Sequence, residues 1–434
     1  MRMTDVPSFG NLEGLTVVCM GNTIAAPFAA ELMAEHGACV IYVENTDRPD
    51  IGRVSLCPYG FITEHRNELF MAINLKNIEG EQVFIEILKK TDILIEGLKG
   101  GTFTELGLSD KRLWAENEKL VIVHVSGFGE SGLAEYLRRP SYDPIGQAAG
   151  GFMSINGFPE PSPPLRAPFV CDYYTALFAC WSALAAQMGA QRTGVGESVD
   201  VSQMEVMWKL QYGYPLEYFY SGVVHPRQGN EERDYICFGT YLCGNGRYVF
   251  ICCIANGPAR GLLKVLGKDN DPTYPENIQL FRRGDVAAEK VETALKQYCL
   301  DNEAEKVEKE LNANGVPCSF IHDIETIQTD PQALERGLFT EWSDDRFGKL
   351  KGVNIVPKMS NRPGMFWGGA RDHGADNRDI LSELGYTDKK IEELYKKGVL
   401  AELRDGGYFA SKAMHIKNRD QINIIMEEEK NEDF

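Results

Sequence analysis

One carboxylate stands apart in this sequence. Asp172 ends the short apolar run Phe169-Val170-Cys171, and after it come Tyr173, Tyr174 and a long Ala-, Leu- and Phe-rich stretch to residue 189. An acid at that point has two uses. Its oxygens can cap the orphan N–H groups of the helix expected over 173–189, or it can be a nucleophile. A helix N-terminus favours the ionised acid by roughly 0.3–1 kcal/mol, and the apolar and aromatic flanks would exclude water. A carboxylate that attacks an acyl group forms a mixed anhydride, which survives only in a dry site.

The second set of candidates is cationic. Lys99-Gly100-Gly101 follows an expected strand, and lysine beside flexible backbone suits a phosphate at the carboxyl edge of a sheet, with a plain turn as the alternative. Arg48, Arg53, Arg66, Lys76, Arg138 and Arg139 fall in early loops. Singly they read as solvated charges, whereas several on one edge would make a polyphosphate pocket. Gly21-Asn22-Thr23 follows the first expected strand and Glu44 ends the second, as in folds that hold a ribose there. No GxGxxG joins them, which speaks against a nicotinamide cofactor. Glu44 reads equally well as a solvated strand end.

The elements that must position these residues alternate. Residues 15–20 (LTVVCM) read as a buried strand, Pro27 opens a helix that stops at Gly37, and 39–44 (CVIYVE) is a second strand. A helix over 79–90 and strands over 92–96 and 120–126 continue the pattern, which predicts a doubly wound α/β sheet. The helix over 173–189 is apolar on most faces and is expected to be buried. Residues 194–202 read as a turn and a strand. Beyond about 220 the texture changes: two short strands flank Gly244-Asn245-Gly246, a hairpin signal, and helices are expected over 257–266 and 286–312. The domains are therefore expected as 1–222, the first part of a large domain; 223–322, a smaller α+β domain; and 323–434, a return segment with a helix over 389–403 and an acidic tail.

The chain has 434 residues, 43% hydrophobic and 25% charged, with a formal net charge of -18. That balance argues against nucleic acid and against an anionic membrane surface. The 11 cysteines include no CxxC pair, which favours free thiols in a reducing cytoplasm. The seven histidines show no metal-ligand spacing, so no metal is expected. Residues 1–11 lack the apolar centre of a signal peptide, and no window approaches 18 uninterrupted apolar residues.

Taken in order, the motifs resemble the class III coenzyme A transferases, the family of formyl-CoA transferase and carnitine CoA-transferase. The resemblance runs from about Phe9 to Leu400. It covers the opening strand–helix–strand ending at Glu44, the acid–x–x–Arg step Asp50 to Arg53, and AINLK with Asn74 in place of an acid. It continues through VSGFGESG, SYDPIGQAAGG, GVGESVDVSQMEV, GVPCSFIHDIETIQTDPQALERG and HGADNRDILSELGY. The resemblance implies a Rossmann-like large domain built from both chain ends, a smaller α+β domain, and two chains interlocked as a homodimer. It implies coenzyme A as co-substrate, an acyl-CoA donor and a carboxylic acid acceptor, and Asp172 as the nucleophile. Contacts to CoA would fall to Lys99, Arg53, Lys76 and Arg138, with Ile24 and Ala25 ahead of the first helix.

Two departures matter. An arginine that family members often carry after the lysine loop is absent from GTFTELGLSD, where Thr104, Glu105 and Leu106 stand, with Arg138 or Arg139 as candidate replacements. The glycine-rich loop of formyl-CoA transferase is reduced to Asn256-Gly257, which speaks against a formyl or oxalyl substrate. The related racemases would need a histidine where Tyr142 stands. An acyl-CoA hydrolase would differ only in water reaching the anhydride, and a noncatalytic CoA-binding scaffold would have no need of Asp172. Several motifs look nearest the carnitine and bile-acid branch, the bile-acid enzymes in particular. The aromatic cluster Tyr212, Tyr214, Tyr218, Phe219 and Tyr220 could stack on a bulky acid, or serve as core or dimer interface.

Overall fold

In the computed structural model, which describes residues 1–53, 59–344 and 347–402, the alternation of apolar side chains builds a sheet buried on both faces. The strands are β1 (Thr16–Met20), β2 (Cys39–Glu44), β3 (Glu68–Ala72), β4 (Ile93–Glu96), β5 (Val121–Ser126) and β6 (Ser198–Ser202). They form one six-stranded parallel sheet in the order β3-β2-β1-β4-β5-β6. Val17, Cys19, Val40, Ile93, Ile95, Val121 and Val123 face one core; Val18, Ile41, Leu69, Leu94 and Ile122 face the other. Period-two alternation with both faces apolar is what a parallel sheet between helix layers requires.

The first core is closed by the helices Ala25–Ala34 and Val170–Thr193. Ala176, Ala179, Ala183 and Ala190 line one stripe of the long helix and meet Ala26, Ala29, Ala30 and Met33 of the short one. Small residues let these helices approach closely. The long helix is not buried all round, as its composition suggested: Leu177, Trp181 and Met188 are exposed on the face away from that stripe. The second core is closed by the helix Ile78–Leu88 and, from the far end of the chain, Asn377–Glu383 and Asp388–Lys396.

The sequence pattern did not single out β3, the edge of the sheet. Its outer side is finished by the return of the chain. The carboxylate of Asp376 accepts from Phe70 N (2.8 Å) and Asn377 Oδ1 accepts from Ala72 N (2.9 Å), while Asp376 N donates to the Phe70 carbonyl (2.9 Å). Asn67 Oδ1 receives the N–H groups of Trp367 and Gly368. An edge covered this way offers no template to another strand.

Arg53, expected at a phosphate, is instead wholly buried. Its guanidinium grips Glu44 through Nε and Nη2 (2.7–3.0 Å), donates from Nη1 to the Arg371 carbonyl, and lies 4.2 Å above the Phe61 ring. Glu44 is thus neither solvated nor a ribose ligand. Asp50, the acid of the same step, accepts from Thr23 N (2.7 Å), holding the loop after β1, where Thr23 takes φ 70°.

Two compact units divide the chain: Met1–Phe152, Ala167–Tyr212 and the return from Leu338 form the first, and Met153–Arg166 with Gly213–Gly337 the second. In the second unit β7 (Phe238–Leu242) and β8 (Tyr248–Cys252) form the expected antiparallel hairpin, joined by Cys318–Phe320. The helix expected over 286–312 is two, Val286–Leu300 and Ala304–Ala313, because the chain turns at Asp301-Asn302-Glu303. The ten described cysteines are free thiols. Among the described residues no helix is long and apolar enough to cross a membrane. The acidic tail lies outside the described residues.

Removing one partner of a buried ion pair strands the other. Arg53→Ala should therefore lower stability by about 3–5 kcal/mol. Urea unfolding of the variant would contradict this pairing if its midpoint matched the parent's.

Candidate active site

The loops that follow β1, β4 and β5 and the first residue after β6 surround one cavity of about 330 Å³ in the first unit. This is the carboxyl edge of the sheet, at the strand-order reversal between β1 and β4, where open α/β sheets bind ligands. Asn22, Thr23 and Ala25 line it from β1, Leu98 and Lys99 from β4, Ser126 and Arg139 to Tyr142 from β5, and Asp172 and Gln203 complete it.

Asp172 sits in the first turn of the helix Val170–Thr193, not at its cap. The helix begins three residues earlier than its composition suggested. Phe169 takes the N-cap position at φ 53°, and its side chain makes no cap bond. The capping work falls to Asp143, distant in sequence and buried. Its Oδ1 accepts from Cys171 N (2.9 Å) and Asp172 N (3.3 Å), and its Oδ2 accepts from Gln147 Nε2 (2.6 Å). Gln147 is fixed in turn by the backbone of Ala167.

Relieved of capping, the Asp172 carboxylate faces the cavity while only 5% exposed. Its Oδ1 accepts from Gln203 Nε2 (2.6 Å), and among the described residues nothing donates to Oδ2. Burial, with the Asp143 charge behind it, pushes the Asp172 carboxyl up to about 7, against the pull of the Gln203 hydrogen bond. Glu64, which accepts from the Tyr173 hydroxyl (2.6 Å), is likewise pushed up to about 7 by burial.

Lys99 is exposed at the mouth, and among the described residues no carboxylate pairs with it. Its loop is held by carboxylates: Glu96 accepts from Leu98 N (2.8 Å) and Glu130 from Gly101 N (3.0 Å). Behind them His124 bonds Glu96 through Nδ1 (2.7 Å) and Asp110 through Nε2 (3.1 Å). Burial pulls the imidazole down, but these two bonds outweigh it and hold it at about 10. Glu96, His124 and Glu130 bring metal-type atoms within 4.8 Å of one another, and both ring nitrogens of His124 are engaged by the carboxylates of Glu96 and Asp110.

The cavity gathers Asp172, Lys99 and Ala25 of the expected residues, with Ile24 one residue from its lining as N-cap of Ala25–Ala34. That helix starts at Ala25, two residues ahead of Pro27, and its first two residues line the cavity. Three expected cations are not in the lining. Arg53 is buried against Glu44, Lys76 is exposed elsewhere, and Arg138 pairs with Glu105 (2.6 Å) at the surface. Its neighbour Arg139 takes the place, stacked 4.8 Å from both Phe128 and Tyr136 and without a carboxylate partner among the described residues. Gln203 and Ser141 were not assigned roles from the sequence, although each lies within a quoted motif. The signal for Gln203 was a polar residue directly after a strand at the sheet's carboxyl edge; Ser141, 15 residues beyond β5, gave none. Tyr212, Phe219 and Tyr220 are exposed, which removes the core reading for them.

Residues 12–377 match the profile of CoA-transferase family III. The chain is 38% identical over 403 residues to the bile acid CoA-transferase BaiK of Clostridium scindens, covering 92% of this chain and 91% of that one. Its fold resembles a CAIB/BAIF family protein of Brucella suis (TM-score 0.74, 23% identity, 87% of this chain and 100% of that one). It also resembles a Mycobacterium tuberculosis protein (TM-score 0.70, 19% identity, 86% and 99%).

A carboxyl raised on folding binds its proton more tightly in the native chain. Its contribution therefore favours the fold below the unfolded value of about 4 and is lost as pH rises through about 7. Asp172→Asn should leave melting temperature unchanged near pH 4 and raise it above the parent's by pH 8. Thermal melts across that range decide the matter; a gap that does not widen with pH removes the raised carboxyl.

Proposed function

The chain belongs to CoA-transferase family III, and from that premise we propose that Asp172 is the nucleophile that moves CoA from an acyl-CoA donor to a bile acid or similarly bulky carboxylic acid. One observation carries the reading of the site. A buried carboxylate presents an oxygen without a donor to a cavity whose mouth holds two cations, Lys99 and Arg139, without counter-charge among the described residues. In a chain of net charge -18, cations left unpaired at one place suit an anionic ligand. The phosphates of CoA suit Lys99, Arg139 and the opening turn of Ala25–Ala34.

The steps balance without a proton. Asp172 Oδ2 attacks the donor thioester carbonyl, and the C–S bond breaks with its electron pair on the CoA thiolate. The thiolate adds to Cγ of Asp172, and the Cγ–Oδ2 bond breaks, releasing the donor acid and leaving an aspartyl–CoA thioester. The acceptor carboxylate then adds to Cγ and expels the thiolate, forming a second anhydride. Attack of the thiolate on the acceptor's acyl carbon gives the new thioester and restores the carboxylate. The raised affinity of Asp172 for its proton makes it a stronger nucleophile once ionised.

The bile-acid choice is supported by the identity with the Clostridium scindens enzyme. Tyr142 lines the cavity where a racemase would need a base, which favours transfer. Leu177, Trp181 and Met188 on the long helix offer an apolar face to a second copy, in keeping with an interlocked homodimer. Free thiols suit a cytoplasmic protein.

Mixing the protein with cholyl-CoA, quenching quickly and weighing the Asp172 peptide should show an aspartyl adduct of CoA or acyl group. Asp172→Asn should show none and transfer nothing. An unmodified wild-type peptide during turnover would sink the nucleophile assignment. Lys99→Ala and Arg139→Ala should each weaken CoA binding about tenfold, a loss of roughly 1.4 kcal/mol; calorimetry giving the parent's affinity for both would remove the phosphate seat.

A further inference from the structure

We propose that Gln203 is a catalytic residue whose side-chain N–H stabilises the oxyanion that forms on Asp172 Oδ1 whenever Cγ is attacked. The assignment rests on Asp172 being the nucleophile. The four-step exchange treats the two carboxylate oxygens differently. Oδ2 makes and breaks bonds. Oδ1 remains on Cγ throughout, as a carbonyl oxygen in both anhydrides and in the CoA thioester. When the thiolate adds to the first anhydride, and when the acceptor acid adds to the thioester, the electron pair of that carbonyl moves onto Oδ1. These are two tetrahedral states with negative charge on one atom, and Gln203 Nε2 already lies 2.6 Å from it.

A donor helps here only if it is held before the charge appears. Gln203 is buried, and its other end is fixed: Oε1 accepts from the Ser141 hydroxyl at 2.6 Å. The amide can face the carboxylate in only one sense, since an ionised carboxylate accepts and cannot donate. Gln203 is also the first residue of the helix Gln203–Lys209, which the Ser202 hydroxyl caps by accepting from Glu205 N. Two glycines make room for this arrangement. A Cβ on Gly127 would lie 2.3 Å from the Ser141 Cβ, and one on Gly146 would lie 2.5 Å from Cys171 Sγ and 3.0 Å from the Gln203 Cβ. Ser141 is a positioning residue, and the chain Ser141–Gln203–Asp172 joins the segments after β5 and β6 to the long helix.

The first step differs from the next two. Attack by Oδ2 on the donor carbonyl puts the oxyanion on the substrate, so Gln203 assists the steps at Cγ and not that one. Gln203→Met keeps length and volume and removes the donor. On mixing with cholyl-CoA and cholate, its kcat should fall about 10²–10³-fold, with KM for cholyl-CoA within about threefold of the parent's. In rapid-quench mass spectra of the Asp172 peptide, the aspartyl–CoA thioester should form slower by the same factor. The acidic limb of kcat/KM should move to higher pH, because the neighbouring Asp143 and Glu64 charges then act on Asp172 without the opposing bond. Circular dichroism and melting confirm that the variant folds; should it not, Ser141→Ala, which leaves Gln203 in place but free to turn, should show a smaller fall in kcat with KM held. A variant that forms the aspartyl–CoA thioester at the parent's rate overturns the Gln203 role alone. A parent protein that forms no adduct at Asp172 overturns the nucleophile reading, and this assignment with it.

Discussion

The site depends on which carboxylate satisfies the start of the long helix. Four N–H groups at a helix N-terminus need acceptors, and a buried end cannot leave them to water. Had Asp172 folded back to cap its own helix, its oxygens would be spent on backbone. Asp143 accepts from Cys171 N and Asp172 N instead, and it is held in place by Gln147. The same substitution that frees the Asp172 carboxylate from the backbone places a second buried charge beside it. That charge, added to burial, is what raises the proton affinity of Asp172. Capping and the raised proton affinity of Asp172 are therefore one arrangement, and a change at Asp143 would disturb both.

Charge in this chain is organised by depth. Cations that the sequence placed in early loops separate once folded. Arg53 and Arg66 go inward, where Glu44 meets the first and Glu31 and Glu35 the second, and each reaches the returning chain through a carbonyl, of Arg371 and of Val353. Lys99 and Arg139 stay at the cavity mouth, stacked or tethered through their backbone but without a carboxylate partner among the described residues. A protein so rich in acids has carboxylates to spare, so cations kept from them suit the anionic ligand proposed above.

Much of this was legible in the sequence. The strand–helix alternation, the hairpin at Gly244-Asn245-Gly246 and the singular placement of Asp172 all follow from local patterns. What was not legible depends on partners far apart in the chain. Asp143 and Asp172 are separated by 29 positions, and nothing local says that one caps for the other. Arg138 and Arg139 are neighbours just past the short helix Ala134–Leu137, and the first turns to Glu105 while the second lines the cavity. Arg53 could have been read correctly: an acid ending a strand, with an arginine nine residues on, is a pair that can close within one loop. β3 was passed over because its signal is short and its outer side is completed by residues some three hundred positions away.

Phe70 and the Asp376 carboxylate that receives its N–H are 306 residues apart. At ordinary ribosomal speeds of about 5–20 residues per second, the strand waits on the order of 15–60 s for the segment that closes it. During that interval β3, apolar on both faces, has an open hydrogen-bonding edge, with the buried charges behind it still unsheltered from water. The first unit can therefore cover that edge only after the second has been synthesised. Its yield in a cell should be governed by whatever guards that edge meanwhile, and a slower ribosome would lengthen the exposure in direct proportion.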